Sequence, residues 1–268
     1  MSAFSPAVLF WLELVAKMAM TATVVVIVSI VVERSGPFVG ALVAALPSAA
    51  GAAYIILALE HPPEFIAASA IGTVAAGAAV SVFALTYAAL AQRRGLIVSL
   101  GVALLAWFAA AAALRSVNWT PLGAVLLDTV VIGLAMPLSW RYRSSGSPKL
   151  FLRRPWDLPL RALNASVVVA AVTTASFSIG SFASGMFAIF PVVFCSSLII
   201  LHPRVGGPAA ASVMAHAQPF LAGLALGALA LHYLVAPIGV WWGFLGALIV
   251  NLAWSGSLVL LRTRRAKA

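Results

Sequence analysis

The sequence predicts an all-α membrane protein of nine transmembrane helices, arranged as an inverted-topology duplication of four plus one plus four. Three observations carry this expectation. Apolar runs of about 20 residues recur along the chain without a charge at their centres, which is the signature of bilayer-spanning helices. Hydrophobic residues make up 63% of the 268 positions and charged residues only 8%, far below the roughly one quarter typical of soluble domains. One stretch also occurs twice, 144 positions apart. Gly36-Pro37-Phe38 leads an apolar, small-residue segment interrupted at Pro47, and Gly180-Ser181-Phe182 leads another interrupted at Pro191.

The elements follow in order. Residues 1–14, with Trp11 at headgroup level, form an interfacial lead-in. They lack a basic n-region and a small-residue cleavage site, so the first span is expected to be retained. Span 1 covers 15–33 and ends at the turn Glu33-Arg34-Ser35-Gly36-Pro37. Span 2 covers 37–59 and carries Pro47, and the polar loop Glu60-His61-Pro62-Pro63-Glu64 closes it. Span 3 (65–91) stops at Gln92-Arg93-Arg94-Gly95. Span 4 (96–114) is followed by a loop with Trp119, and span 5 runs 121–140. The long polar segment Arg141 to Pro159 links the halves. Span 6 (160–178), span 7 (182–201, carrying Pro191), span 8 (209–234) and span 9 (238–261) complete the chain before a basic tail. The domain reading is therefore 1–118 as an N-terminal repeat, 119–159 as span 5 with a basic cytoplasmic loop, and 160–268 as the inverted C-terminal repeat.

The repeat extends backwards without a gap. Glu13 matches Asp157, Lys17 matches Arg161, and Ile55-Ile56-Leu57 matches Ile199-Ile200-Leu201. Over residues 13–57 there are 11 identities in 45 positions. The apolar matches are weak in so Val- and Ala-rich a chain. The matched acid-x-x-x-base pairs, Gly-x-Phe and proline in one register are what point to a duplication.

Charge placement sets the expected orientation. With the N-terminus outside, 14 basic residues fall on inner segments and only Lys17 and Arg115 on outer ones, a bias that fixes N-outside, C-inside and an odd span count. Copy 1 then enters from outside and copy 2 from inside, which makes the duplication inverted. The net charge of +10 belongs to these loops and tails, so it reads as a topology signal and not as a nucleic-acid patch. The single cysteine, Cys195, rules out a disulfide within the chain and a cysteine metal cluster.

Inverted repeats with matched helix breaks place a substrate site near the midplane where the halves meet. The candidate binding residues are Pro47, Ser48, Gly51 and Tyr54 of span 2, and Pro191, Cys195 and Ser196 of span 7. Each proline removes a backbone donor and frees the carbonyl four residues earlier, at Val43 and Phe187. Those carbonyls could line a cavity or be satisfied by neighbouring helices. Asp128 lies about 10 Å into span 5 at 1.5 Å per residue. As an intramembrane acid it is a candidate proton carrier, or a structural hydrogen-bonding strut. His216 of span 8 is a second candidate relay, or a cross-helix hydrogen bonder. Glu13/Lys17 and Asp157/Arg161 have helical i, i+4 spacing and read as interfacial anchors. His61 between Glu60 and Glu64 is a poor metal site, being interrupted by two prolines. No metal and no cofactor is expected.

The half-unit of four short spans with Gly-x-Phe and the later Phe190-Pro191 resembles small bacterial inner-membrane proteins of the GlpM type, over 160–261 and less closely over 13–114, where Leu46 replaces the phenylalanine. The resemblance implies a duplicated bacterial inner-membrane protein. It supplies no residue roles.

The functional expectation is a secondary transporter or exporter of a small solute or lipid-linked molecule. It would lie in the bacterial inner membrane, with the bilayer as partner, a homo-oligomer as one option, and no nucleic acid. A non-transporting scaffold or assembly subunit is the alternative. A membrane enzyme ranks last, because no nucleophile has a base at motif spacing.

Overall fold

The computed structural model describes residues 5–34, 48–143 and 156–265. Among these the chain forms nine α-helices and no strand. They are α1 (Pro6–Arg34), α2 (Ser48–Glu60), α3 (Pro63–Leu90), α4 (Leu96–Arg115), α5 (Pro121–Trp140), α6 (Asp157–Ala188), α7 (Val192–Val205), α8 (Gly207–Ile238) and α9 (Val240–Arg265). Seven of them are long and apolar enough to cross a membrane, and α2 and α7 are shorter apolar helices. The chain is a multi-pass membrane protein. Gly36, Phe38 and Pro47 lie outside the described residues.

Helix starts follow local chemistry. Prolines occupy the first positions of α3 and α5, where a missing N–H costs nothing. Thr120 caps α5 by accepting a hydrogen bond from Gly123 N at 3.1 Å. In the second half α7 turns into α8 at Gly206 (φ 84°) and α8 into α9 at Gly239 (φ 84°), a left-handed conformation that only glycine adopts freely. The 144-residue register persists in these boundaries: α3 begins at Pro63 and α8 at Gly207, α4 at Leu96 and α9 at Val240.

In span 7 the structure differs from the sequence expectation of one helix kinked at Pro191. Gly180 (φ 79°, ψ 171°) breaks α6, a short helical piece over 181–188 follows, and α7 starts only at Val192 with Pro191 as its N-cap. The residue before a proline is pushed out of the α region, so the helix ends ahead of Phe190. The Phe187 carbonyl, which Pro191 frees, is satisfied locally, accepting the Phe190 N–H at 3.0 Å.

Helix α3 is the centre of the bundle. Most of its length is buried, and α4, α5, α6 and α8 pack around it. Small residues permit this. A Cβ on Gly185 would collide with the Ser69 backbone, and one on Gly72 with the Phe182 backbone. The 181–188 piece and α3 therefore cross backbone against backbone. The helices α4, α5 and α9 turn exposed apolar side chains such as Leu105, Leu126 and Ile249 outward. Exposed Trp140, Trp156, Trp241 and Trp242 cluster at helix ends, as interfacial tryptophans do.

Ion pairs tie the ends. Lys17, buried within α1, contacts Glu13 and Glu60, each at 2.8 Å. Asp157 receives both guanidinium nitrogens of Arg204 at 2.8 and 2.7 Å, joining α6 to α7. Glu60 and Arg204 are themselves 144 positions apart, while their partners Lys17 and Asp157 are 140 apart.

Candidate functional site: a membrane cavity and a buried acid

A cavity of about 340 Å³ opens between α2, α3, α8 and α9. Its walls are largely apolar: Ala50 and Gly51 from α2, Gly227 and Leu231 from α8, Trp241 and Phe244 from α9. Three polar side chains reach it. Tyr54 and Thr73 form a relay in which Thr73 Oγ1 donates to Gly185 O at 2.7 Å. The 2.6 Å contact between Tyr54 and Thr73 is therefore donated by the tyrosine, which leaves its oxygen as an acceptor. The third is Asn251 of α9, 4% exposed, whose Oδ1 has no hydrogen-bond partner among the described residues.

One turn along α3 from Thr73 stands Gly77. The carboxyl of Asp128, on α5, fills the space a side chain at 77 would take. Asp128 is 3% exposed, and its Oδ1 has no hydrogen-bond partner among the described residues. A turn further, Ser81 donates to Gln218 Oε1 at 2.6 Å, and Gln218 Nε2 returns a bond to Ser81 O at 3.1 Å. One face of α3 thus carries in succession the cavity, the acid and a closed amide pair.

The expected site residues divide as follows. Gly51 and Tyr54 line the cavity, while Ser48, half-buried at the first residue of α2, does not. Pro47 is outside the described residues. Pro191 caps α7, and its carbonyl accepts from Cys195 N at 2.8 Å. Cys195 packs at the edge of the core. Ser196 Oγ donates to Val192 O at 2.8 Å and accepts from Asn164 Nδ2 at 3.2 Å. These three are brought together on α7, away from the cavity. His216 Nδ1 engages Ser212 O on its own helix at 2.8 Å.

Asn251, Thr73 and Gly227 belong to the cavity although the sequence reading gave none of them a site role. Pro219 was also readable. It frees the carbonyl of Ala215 four residues earlier, and Arg143 takes that carbonyl with Nε and Nη2 at 3.3 and 3.2 Å. Trp254 Nε1 binds Pro219 O at 2.8 Å.

At the end of α2, His61 stacks on Phe65 (3.8 Å, 7°) and lies 4.4 Å from the Phe177 ring. Ser176 Oγ donates to Thr173 O, so His61 Nε2 donates to Ser176 Oγ at 2.7 Å. Burial lowers the His61 pKa, Glu60 opposes that shift and Lys17 adds to it. Among the described residues no group of three His, Cys, Asp or Glu side chains gathers as a metal site would require.

No family model matches the chain, and no curated protein or solved structure does.

Proposed function

We propose that the protein is a secondary transporter or exporter of a small solute or lipid-linked molecule. It works by alternating access in a bacterial inner membrane, N-terminus outside and C-terminus inside, with Asp128 as the coupling proton site. One observation carries this reading: a buried acid with an unpartnered oxygen abuts Gly77, one helical turn along α3 from Thr73, which lines a cavity of ligand-binding size. An ionised carboxylate is costly in a dry helix bundle, so proton exchange at Asp128 requires a state in which water reaches it. Cargo in the cavity and a proton on Asp128 would bias the same helix, which is the linkage coupled transport needs.

Three further features support the reading. The broken segment 180–192 is the discontinuous geometry that transporter sites use. The 144-residue register in helix starts supports a duplication, and α3 packs on its counterpart α8 as α1 does on α6. The basic asymmetry of the loops supports the inverted sense. The non-transporting scaffold keeps one supporting observation, the solid apolar core around fully buried Trp107.

Proteoliposome flux driven by a pH gradient tests the proposal. Asp128→Asn keeps the shape and cannot titrate, so it should abolish gradient-driven accumulation with expression and helicity intact. Full activity of the Asn variant leaves Asp128 as a structural strut.

A further inference from the structure

The cavity has a counterpart position in the other half of the molecule, and that position is filled. At the 144-residue offset, Ala50, Gly51 and Gly227 answer to Phe194, Cys195 and Phe83, and Asn251 answers to Trp107. Phe83 and Trp107 are fully buried in the central core, with Phe194 and Cys195 packed against it. Trp107 lies 5.4 Å from the Phe187 ring and 4.9 Å from the Phe190 ring. The open site is therefore a local departure from the packing used on the other side, made by three small residues and a polar one.

Its chemistry restricts the occupant. No charged side chain lines it, so a carboxylate, phosphate or ammonium group would be buried without a counter-ion, at high cost. The lining includes Asn251, whose buried Oδ1 is unpartnered, and Tyr54, whose oxygen is left as an acceptor. A hydroxyl both donates and accepts, and so can satisfy these groups. The remaining walls are aliphatic and aromatic. At about 30 Å³ for each water-sized group, the 340 Å³ cavity holds roughly eleven such groups, the scale of a chain of about ten carbons with one oxygen. Exposed Gly51 on α2 faces exposed Trp241 and Leu248 on α9 across the cavity. These are exposed positions on apolar helices, with Trp241 at the interfacial end of α9, so the mouth lies on the flank of the bundle.

We propose that this cavity binds a long-chain alcohol, the apolar chain between α2 and α9 and the hydroxyl at Asn251 and Tyr54, entered from the lipid phase. As the cargo site of a transporter the assignment rests on the transport reading; as a binding site it stands alone.

The test is photolabelling of the full-length protein in lipid nanodiscs with a diazirine-bearing n-decanol, mapped by peptide mass spectrometry. Saturable labelling of α2 and α9 peptides, competed by n-decanol, is expected. A Cβ at Gly51 meets nothing within 4 Å, so Gly51→Leu should fold, fill the cavity and weaken labelling roughly tenfold or more. Circular dichroism checks that fold. Asn251→Leu should erase the preference of the site for the alcohol over the corresponding diazirine-bearing decane. Non-saturable labelling spread over α4 and α5 and unchanged in Gly51→Leu overturns the site. Labelling by a decanoate analogue as strong as by the alcohol overturns the uncharged head group. Flux of the alcohol into proteoliposomes is scored separately. Saturable labelling without flux supports the site and counts against transport.

Discussion

Replacing Gly185 by alanine adds one carbon where no space exists. That Cβ would lie 2.9 Å from Ser69 Cα and closer still to the Ser69 carbonyl, against an ordinary contact range of 3.4–4 Å. The Ser69 carbonyl oxygen, the closest atom, sets the shift: the 181–188 piece must move off α3 by more than about 1 Å, which forfeits at least half of each dispersion contact. If roughly twenty atom pairs at about 0.15 kcal/mol each span the crossing, the loss is at least about 1.5 kcal/mol. The Thr73-to-Gly185 hydrogen bond stretches as well, adding about 0.6 kcal/mol, the average for such bonds between membrane helices. The expected destabilisation is about 2–3 kcal/mol, within the range for overpacking. Gly72→Ala strains the same crossing from the other side, so the double variant should cost less than the sum, with a coupling of at least about 0.5 kcal/mol. Gly51→Ala and Gly101→Ala meet nothing within 4 Å and should gain about 0.5–1 kcal/mol from reduced backbone freedom. Equilibrium unfolding of the purified protein in mixed micelles with increasing SDS, followed by circular dichroism, reads all five. Equal stability of Gly185→Ala and Gly51→Ala, or strict additivity at 72 and 185, would refute the close-crossing argument.

Other outcomes follow from the same geometry. Arg204→Gln should destabilise by removing the bidentate bond to Asp157, and the exchange Asp157→Arg with Arg204→Asp should recover part of the loss in the same unfolding assay. Because burial holds the His61 pKa below its ordinary value of about 6.5, the unfolded chain binds the proton more readily. The stability His61 contributes is then complete above about pH 6.5 and falls as pH drops through its lowered folded value. Glu60 and Lys17 face the same ring and pull in opposite directions, so His61→Gln in an otherwise native background should flatten that acid limb, and a limb of unchanged depth would assign it elsewhere. Reporter fusions after Ser145 and Lys267 should read cytoplasmic and one after Glu64 periplasmic. A cytoplasmic reading at Glu64 would end the nine-span topology.

The helical framework was readable because bilayer-length apolar runs leave few alternatives. The expected span starts at 65, 96, 121 and 238 fell within two residues of the helix starts at Pro63, Leu96, Pro121 and Val240. The break at 189–191 was harder. A proline inside an apolar run is compatible with a kink or with a fresh N-cap, and the positive φ of Gly180 decides for a separate short piece only once α3 is packed against it. The cavity was half legible. Gly51 and Tyr54 stood out on a span rich in small residues. Asn251, however, became a site residue only through Gly227 and Thr73, which lie on other helices. Gln218 looked like an isolated polar residue because its partner, Ser81, is 137 positions away. A single sequence records small residues and lone polar groups but not which of them will face one another.

Proton-coupled alternating access requires Asp128 to meet water from both sides of the membrane in turn. Asp128→Cys, made with Cys195→Ser so that it is the lone thiol, can be challenged in sealed vesicles with a membrane-impermeant thiol reagent added outside in one sample and trapped inside in another. Alternating access predicts modification from either side. A position reached from one side only, or from neither in protein that retains its helicity, would contradict it.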